Sequence, residues 1–467
     1  MTVQPEDVAA LRAALGADRL ITDPAAVAEL SADSSARSKK AVAGGAPPAT
    51  AELAVRPADT DEVSTVVRWA NEHGVPVTAR GRGSGVVGSG LPTRGGVLLD
   101  LSALDAIGPV NETDQLVTVG AGTLGSELEA HLEQFGLTTG HYPQSLHLAS
   151  VGGWVAMRGS GTFSSLHGNI EERVADLQVV LPTGEVLDTR SVPRASEGPD
   201  LKQLFIGSEG TLGVITAVTL RLVRRPAARR FAAVLFDGLQ PAVDAVREIL
   251  GAGVRPAVVR VYDPAESKAK HARFSERDGW LTVLLFDGDA QLVRVQEDIA
   301  LGIAERHGAE VLGPEPAEHW EQRRFDWSWF SDMVGRTGGI AEAIEVTTTW
   351  SRLPELYEAM SAAARTTIQD VMGHVSHVYD QGASLYLIVR GEFGTDAEAL
   401  RAYDATWQAV MEVVTAHGAR ISHHHGIGLE RAAWLPAELG ETGMDVLRSV
   451  KRTFDPGGIM NPGKMGL

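Results

Sequence analysis

The chain has 467 residues, 51 of them glycine and none cysteine, with 42 basic against 60 acidic side chains and a formal charge of −18. At roughly 100–200 residues per domain this length suits two to four domains, and it can bury a large core without staples. Lack of cysteine removes disulfides, iron–sulfur clusters and cysteine-bearing zinc sites, and the acidic balance argues against nucleic acid, whose phosphates need a basic footprint.

No apolar run approaches the ~18 residues of a membrane span. The first residues, MTVQPEDVAALRAAL, carry acids early and lack a basic leader region. The chain therefore reads as cytoplasmic, with at most peripheral membrane contact.

Glu6 to Leu15 has helical spacing at Val8, Leu11 and Leu15. Ser31–Thr50 is rich in Ser, Ala, Gly and Lys, which predicts a loop or mobile segment closing an N-terminal arm of residues 1–50. From Ala51 the pattern becomes regular. AELAV reads as a strand, and a helix begins at Thr60, with Glu62 and Val63 behind it, and stops at Gly74. VPVTAR is a strand that runs into GRGSGVVGSG, and GVLLDLS, LVTVGAG, ADLQVVLPTG and GVITAVTLRLV follow as further strands. RRPAARR, near Arg224–Arg230, marks a joint. Beyond it FAAVLFDG, QPAVDAVREILGAG, PAVVRVYD, WLTVLLFDGD and QLVRVQEDIALGIAERHG alternate strand and helix, as a second domain with antiparallel character.

Gly83, Gly85 and Gly88 form a GxGxxG motif, whose usual setting is a Rossmann turn opening a helix. Here SGLPTRGG follows, and its proline and glycines cannot propagate a helix, so the Rossmann reading fails. Such a loop between strands is either a plain hairpin or a nest of backbone N–H groups for an anion. Two more small-residue loops tip that balance: Ser150-Val-Gly-Gly153 with Gly159, Gly161, Gly168 and Asn169, and Gly207–Ile215. Three such loops, each beside a strand, are what a large bent dinucleotide requires of a backbone.

In combination, GRGSGVVGSG, TGHYPQSLHLASVGGW, SLHGNIEERVADLQVVLPTGEV, GSEGTLGVIT and FDPGGIMNPGKM resemble the FAD-binding domain of the vanillyl-alcohol oxidase superfamily, from Ala51 to the C-terminus. The resemblance implies an α+β fold: a two-subdomain FAD-binding domain over 51–226, an α+β substrate (cap) domain with an antiparallel sheet over 227–420, and a segment 421–467 that returns to the FAD domain. It implies FAD contacts at Arg80, Gly81, Arg82, Gly83, Ser84, Gly85 and Gly88. Further contacts are implied at Pro143, Ser145, Ser150, Val151, Gly152, Gly153, Gly159 and Asn169, and at Glu209, Gly210, Gly213, Val214, Ile215 and Asn461. Arg82 stands where the superfamily has a glycine; it is placed either to pair a phosphate or to point to solvent. With no cysteine, and no histidine between Gly81 and Arg94, the implied FAD is non-covalent; His141 is the nearest candidate for a tether.

The run Ile421-Ser-His-His-His-Gly-Ile-Gly428 is the sharpest chemical anomaly. A metal site, a structural role and substrate or proton chemistry are all open to it. No HExxH or DxH pattern adds ligands, so the last is preferred and no metal is expected. Three histidines followed by GIG are similar to the alkylglycerone-phosphate synthase branch of the superfamily, as are TGHYPQSL, HGNIEE, EGPDLKQLFIGSEGTLGVIT and YDQGASLYL. That resemblance implies Tyr386 as the catalytic tyrosine, with Arg260, His423, His424 and His425 beside it. It also implies exchange of the acyl group of acyl-dihydroxyacetone phosphate for a fatty alcohol through a flavin N5 adduct.

Two departures stand out. Ser331, before Asp332, replaces a family active-site arginine, leaving Arg336 to compensate, and Leu429-Glu430-Arg431 lacks the family lysine. The alternative is a FAD-dependent oxidase or dehydrogenase of a 2-hydroxy acid or other small alcohol. The expected partners are a small-molecule or lipid-derived anionic substrate and, by family analogy, a second copy of the chain as a homodimer; nucleic acid is excluded. Aromatic residues Trp320, Phe325, Trp327, Trp329 and Phe330 read as packing ahead of a gate for a long chain.

Overall fold

The structure, a computed structural model, describes residues 3–467. It divides into two units. The first comprises Met1–Ser160, Asn169–Arg224 and His424–Leu467, and the second Gly161–Gly168 and Arg225–His423.

The first unit opens with a four-stranded sheet made of β1 (Leu20–Ile21), β2 (Leu53–Val55), β3 (Val77–Arg80) and β4 (Val97–Asp100), in the order β1-β2-β4-β3. β2 and β3 run parallel to β4, so a helical crossover must join β2 to β3. Thr60–His73 supplies it. Asp59 caps its start by accepting from Glu62 N at 2.9 Å, and Gly74 ends it in the left-handed conformation. Its buried face, Val63, Val66, Val67 and Ala70, packs with Leu53, Val55, Val77, Val97 and Leu99. Val180 and Val214 bring the second sheet into the same core.

That second sheet is antiparallel. Its strands are β5 (Leu116–Gly120), β7 (Val174–Val180), β8 (Val186–Asp188) and β9 (Val214–Arg221), in the order β5-β9-β7-β8; the short β6 (Leu137–Thr138) pairs instead with β10 (Val223–Arg224). The last residues of the chain also join this unit. Val77 N donates to Ile459 O at 2.8 Å and Asn461 N to Val77 O at 2.7 Å, so Ile459–Asn461 lies along β3.

The loop expected over Ser31–Thr50 is corrected by the structure. Ala36–Ala43 is helical, Ser35 caps it by accepting from Ser38 N at 3.1 Å, and Ser38 and Lys40 are buried. Composition misleads here because serine in this segment works as a cap and as a donor to backbone, not as a solvated linker residue.

The second unit is built on a seven-stranded antiparallel sheet. Its strands are β11 (Ala228–Phe236), β12 (Val258–Tyr262), β13 (Trp280–Gly288), β14 (Glu310–Gly313), β15 (Gly339–Thr349), β16 (Asp370–Tyr379) and β17 (Gly382–Glu392), in the order β14-β11-β13-β12-β16-β17-β15. The register sets Tyr386 opposite His374 on one side and Glu345 on the other. β16 bulges between Ser376 and Val378, and His377 at the bulge has φ +48°. Helices Leu239–Gly251, Ala290–Arg306, Leu353–Arg365 and Asp396–Ala416 complete this α+β layer. Residues Gly161–Gly168 fold with this sheet: Val378 N donates to Ser165 Oγ at 3.2 Å.

Candidate active site

In the first unit the three glycine-rich loops converge. β3 ends at Arg80 and runs into the first loop. Gly81 backs onto Ser150 so closely that a Cβ there would collide with Ser150 Oγ, which explains the glycine. Ser150 in turn caps the helix Val151–Ala156, its Oγ accepting from Gly153 N at 3.4 Å, and Val151 N and Gly152 N donate to Thr123 O and Ala121 O. Gly159 N closes on Trp154 O at 2.8 Å, and Asn169 accepts from Ser160 Oγ at 2.6 Å. Pro143 and Ser145 shape the turn before this helix, their carbonyls accepting from Leu146 N and Ala149 N. Gly213 leads into β9, where Val214 and Ile215 pair with Val180 and Val179.

Glu209 ties the loops together. Its buried carboxylate accepts from Ile427 N at 2.6 Å, Gly428 N at 2.8 Å and Ser89 Oγ at 2.8 Å. Burial pushes this carboxyl up, and the three donors and the Lys464 charge oppose that. Gly428, at φ +52° with its Cβ position against Val87 O, admits no side chain. Asn461 Nδ2 donates to Glu209 O at 2.6 Å and Ser89 O at 2.9 Å. Lys464, buried, donates to Leu91 O at 2.7 Å, and burial lowers it to about 8.

Arg82 is half-buried. Its Nε donates to Gly122 O and one terminal nitrogen to Ser102 O, each at 3.1 Å, so it staples backbone. Gly83, Ser84, Gly85, Gly88 and Gly210 complete the loops.

Several buried polar atoms of the first unit lack a protein partner, among them Arg80 Nε, both ring nitrogens of His141, Arg173 Nε and Asn461 Oδ1. Buried polar groups are normally satisfied, so this set fits a polar ligand bearing many donors and acceptors, such as a dinucleotide. His141 is fully buried against Trp154, ring centroids 4.8 Å apart, and burial, then the Arg173 charge, lowers it to about 3.

In the second unit the sheet assembles a cluster of titratable rings. Tyr386 on β17 is stacked on His374 of β16, centroids 4.6 Å apart and planes 15° from parallel. His374 Nδ1 meets Glu266 Oε2 at 2.9 Å, and its Nε2 faces Arg260 Nη1 at 3.4 Å. Arg260, on β12, also lies over the Trp320 ring. Glu266 is wholly buried and pairs with Lys270. Burial alone would raise its carboxyl, yet His374 and Lys270 hold it below the usual range. Burial lowers His374 against the pull of Glu266. A carboxylate on Nδ1 fixes the tautomer with Nε2 as acceptor, aimed at the guanidinium.

The second branch starts at the bulge. His377 accepts or donates at Ser164 Oγ, 2.8 Å from Nδ1, and stacks on His423 at 5.1 Å. His423 Nε2 meets Tyr379 Oη at 2.7 Å, its backbone N–H donates to Glu345, and Ser422 Oγ donates to the same carboxylate at 3.0 Å. Burial lowers His423 to about 4, so it is a neutral imidazole at physiological pH.

Of the residues singled out from the sequence, Tyr386, Arg260 and His423 thus share one cluster. His424 and His425 belong to the first unit, their rings 4.6 Å apart. Ser331 and Asp332 are exposed on the helix Ser328–Gly335, and Arg336 pairs with Glu392 at 2.8 Å on the surface. Glu266, Lys270, His374, His377, Tyr379 and Glu345 were not found from the sequence. The available signal was two histidines inside the largely buried strand DVMGHVSHVY. Among the described residues no group of three or more acidic or histidine side chains is placed to hold a metal ion, and no helix is long and apolar enough to cross a membrane.

Residues 225–465 match the family described as FAD linked oxidases, C-terminal domain, and residues 51–190 match FAD binding domain. The chain belongs to the FAD-linked oxidase family. Within it the fold is that of the vanillyl-alcohol oxidase type. The solved structure of an alkyldihydroxyacetonephosphate synthase superposes with a TM-score of 0.82 at 25% identity, over 98% of this chain and 85% of that one. An uncharacterized FAD-linked oxidoreductase, YgcU, of Escherichia coli K12 is 31% identical over 97% of this chain and 96% of its own length. Alkyldihydroxyacetonephosphate synthase of Dictyostelium discoideum is 27% identical over 89% of this chain and 73% of its own. This FAD-linked oxidase therefore uses FAD as its cofactor and is a FAD-dependent enzyme.

Proposed function

We propose that this enzyme exchanges the acyl group of acyl-dihydroxyacetone phosphate for a fatty alcohol. The observation that carries the reading is the Arg260–His374–Tyr386 arrangement: a fixed cation, a tautomer-locked imidazole and a phenol in one buried row. Similarity to alkyldihydroxyacetonephosphate synthases supports the substrate class. The glycine loops of the first unit hold FAD non-covalently, with Arg80 and Asn461 supplying polar atoms that the protein leaves unpartnered. Bound FAD supplies an electron-accepting ring system.

The protein's own residues manage charge and protons. Tyr386 Oη, as phenolate, takes the proton from the substrate carbon that carries the ester and returns it there once the alcohol has added, and the Arg260 charge beyond the neutral His374 ring favours the phenolate. Arg260 also stabilises the anionic substrate. Overall the ester C–O bond to that carbon breaks, an ether C–O bond forms, and the alcohol's proton leaves with the fatty acid, so nothing is oxidised. The neutral His423, held by Tyr379 and Glu345, is available to relay protons at Nε2.

A second reading, oxidation of a 2-hydroxy acid or other small alcohol, draws on Ser331 and on Arg336. The family arginine's position is an exposed serine, and Arg336 is engaged with Glu392. The deciding experiment mixes the purified protein anaerobically with acyl-dihydroxyacetone phosphate, then with a panel of hydroxy acids, while following the flavin spectrum. Bleaching by the phosphate ester with release of fatty acid supports exchange. Stoichiometric reduction by a hydroxy acid, with no response to the ester, overturns it.

A further inference from the structure

Half of the Gly81–Gly90 loop is glycine, and glycine loses more backbone freedom on folding than any other residue. Something outside the loop must hold it. On one face the residues after the histidine run do so: Leu429 N donates to Val87 O at 2.8 Å. On another face lies a segment that both family matches leave out, since the FAD-binding match begins at residue 51. Gly88 N donates to Asp33 Oδ2 at 3.0 Å, Ser34 N to Gly85 O at 2.9 Å, and Ser34 Oγ to Gly83 O at 3.2 Å. Three of the loop's glycines are thus pinned by two consecutive residues.

Those two residues are themselves fixed. Asp33 Oδ1 accepts from Ser35 N and Ser35 Oγ, and Asp33 N donates to Ser38 Oγ at 3.0 Å. Ser31 Oγ donates to Val27 O and accepts from Ala51 N, which ties the segment to the residues leading into β2. Arg37, the second residue of the following helix, pairs with Glu430 at 3.1 Å and so joins this clamp to the segment after the histidine run.

We infer that Asp33 and Ser34 are positioning residues for FAD: they set the shape of the Gly81–Gly90 loop, and the enzyme's hold on its cofactor depends on them. The inference rests on the reading of that loop as cofactor-binding. Neither residue needs to touch FAD. Without the clamp the loop must be ordered at the moment of binding, and the cost falls on cofactor affinity.

The test compares wild-type holoenzyme with Asp33→Ala/Ser34→Ala, reading FAD release as the rise of free-flavin fluorescence on dilution, and loop order as amide exchange at residues 81–90. Losing hydrogen bonds of ordinary strength should speed release about tenfold and raise exchange at Gly83–Gly88. Unchanged release overturns the inference, even if exchange rises. Should the double variant not fold, Ser34→Ala decides alone, with release about threefold faster expected and an unchanged rate counting against it. Gly81→Val, which drives a side chain into Ser150, separates the two ideas. If it empties the site while the Asp33/Ser34 variants do not, the loop holds FAD and the clamp is irrelevant; if it leaves FAD bound as in wild type, the cofactor reading of the loop itself fails.

Discussion

The imidazole of His374 lies face to face with the phenol of Tyr386, 4.6 Å between centroids, on neighbouring strands whose register places the two residues opposite each other. Both side chains are almost fully buried. This stack joins the Glu266–Lys270 ion pair and Arg260 to the phenol that the family resemblance marked as catalytic.

Tyr386→Phe keeps the stacked ring and removes only the hydroxyl. Substrate-driven bleaching of the flavin should fall at least about 100-fold, the usual scale for losing a proton-transfer group, while stability changes by less than about 1 kcal/mol. Stopped-flow absorbance and thermal melts check the two halves. Bleaching at wild-type speed removes Tyr386 from the catalytic residues.

Glu266→Gln leaves Lys270 and His374 Nδ1 facing a neutral amide. Chemical denaturation at pH 7 should show a loss of about 1–3 kcal/mol. The folded carboxyl titrates below its ordinary 4.5, so its contribution is present above that pH and is lost as pH falls below it. The wild type should therefore lose stability more steeply than the variant below about pH 4.5.

His423 is held neutral in the fold, at about 4 against an ordinary 6.5. The unfolded chain binds its proton first as pH drops, so this stabilisation is complete above 6.5 and disappears as pH falls toward 4. It amounts to about 3 kcal/mol over that window. Denaturation midpoints between pH 7 and pH 4 should fall less in His423→Gln than in wild type; parallel curves contradict the assignment.

Glu209→Ala orphans the N–H groups of Ile427 and Gly428 and the Ser89 hydroxyl. A cost of about 2–4 kcal/mol is expected from several buried donors left unpaired, read by urea unfolding. A change below about 0.5 kcal/mol means the segment after the histidines is held by other contacts.

Arg336→Ala removes an exposed ion pair with Glu392. Such pairs contribute little, so stability should shift by less than about 1 kcal/mol and turnover by less than about twofold. A tenfold fall in turnover would falsify the view that Arg336 stands in for nothing at the reacting centre.

Much of the architecture was legible because its determinants are local. The helix Thr60–His73 follows from Asp59 and Gly74 at its ends, and the antiparallel second unit from alternating strands and turn glycines. The segment Ser31–Thr50 was misread because serine-rich composition describes a solvated linker and a run of caps equally well. The backbone anchors of Arg82 were not legible, because side-chain donors seek whichever carbonyls the fold leaves open, here Gly122 and Ser102.

By itself the sequence determined three glycine-rich loops able to approach a dinucleotide, a chain without thiol chemistry, and a histidine run worth testing; the tyrosine and the arginine came from the family resemblance. Only the tertiary structure decided which of these meet. Glu266 and His374 are 108 positions apart, and Glu209 and Gly428 are 219 apart. Backbone preferences act over a few residues, whereas a buried charge must find its partner wherever the fold brings one within about 3 Å. That is why the histidine run, continuous in the chain, divides between the two units after His423.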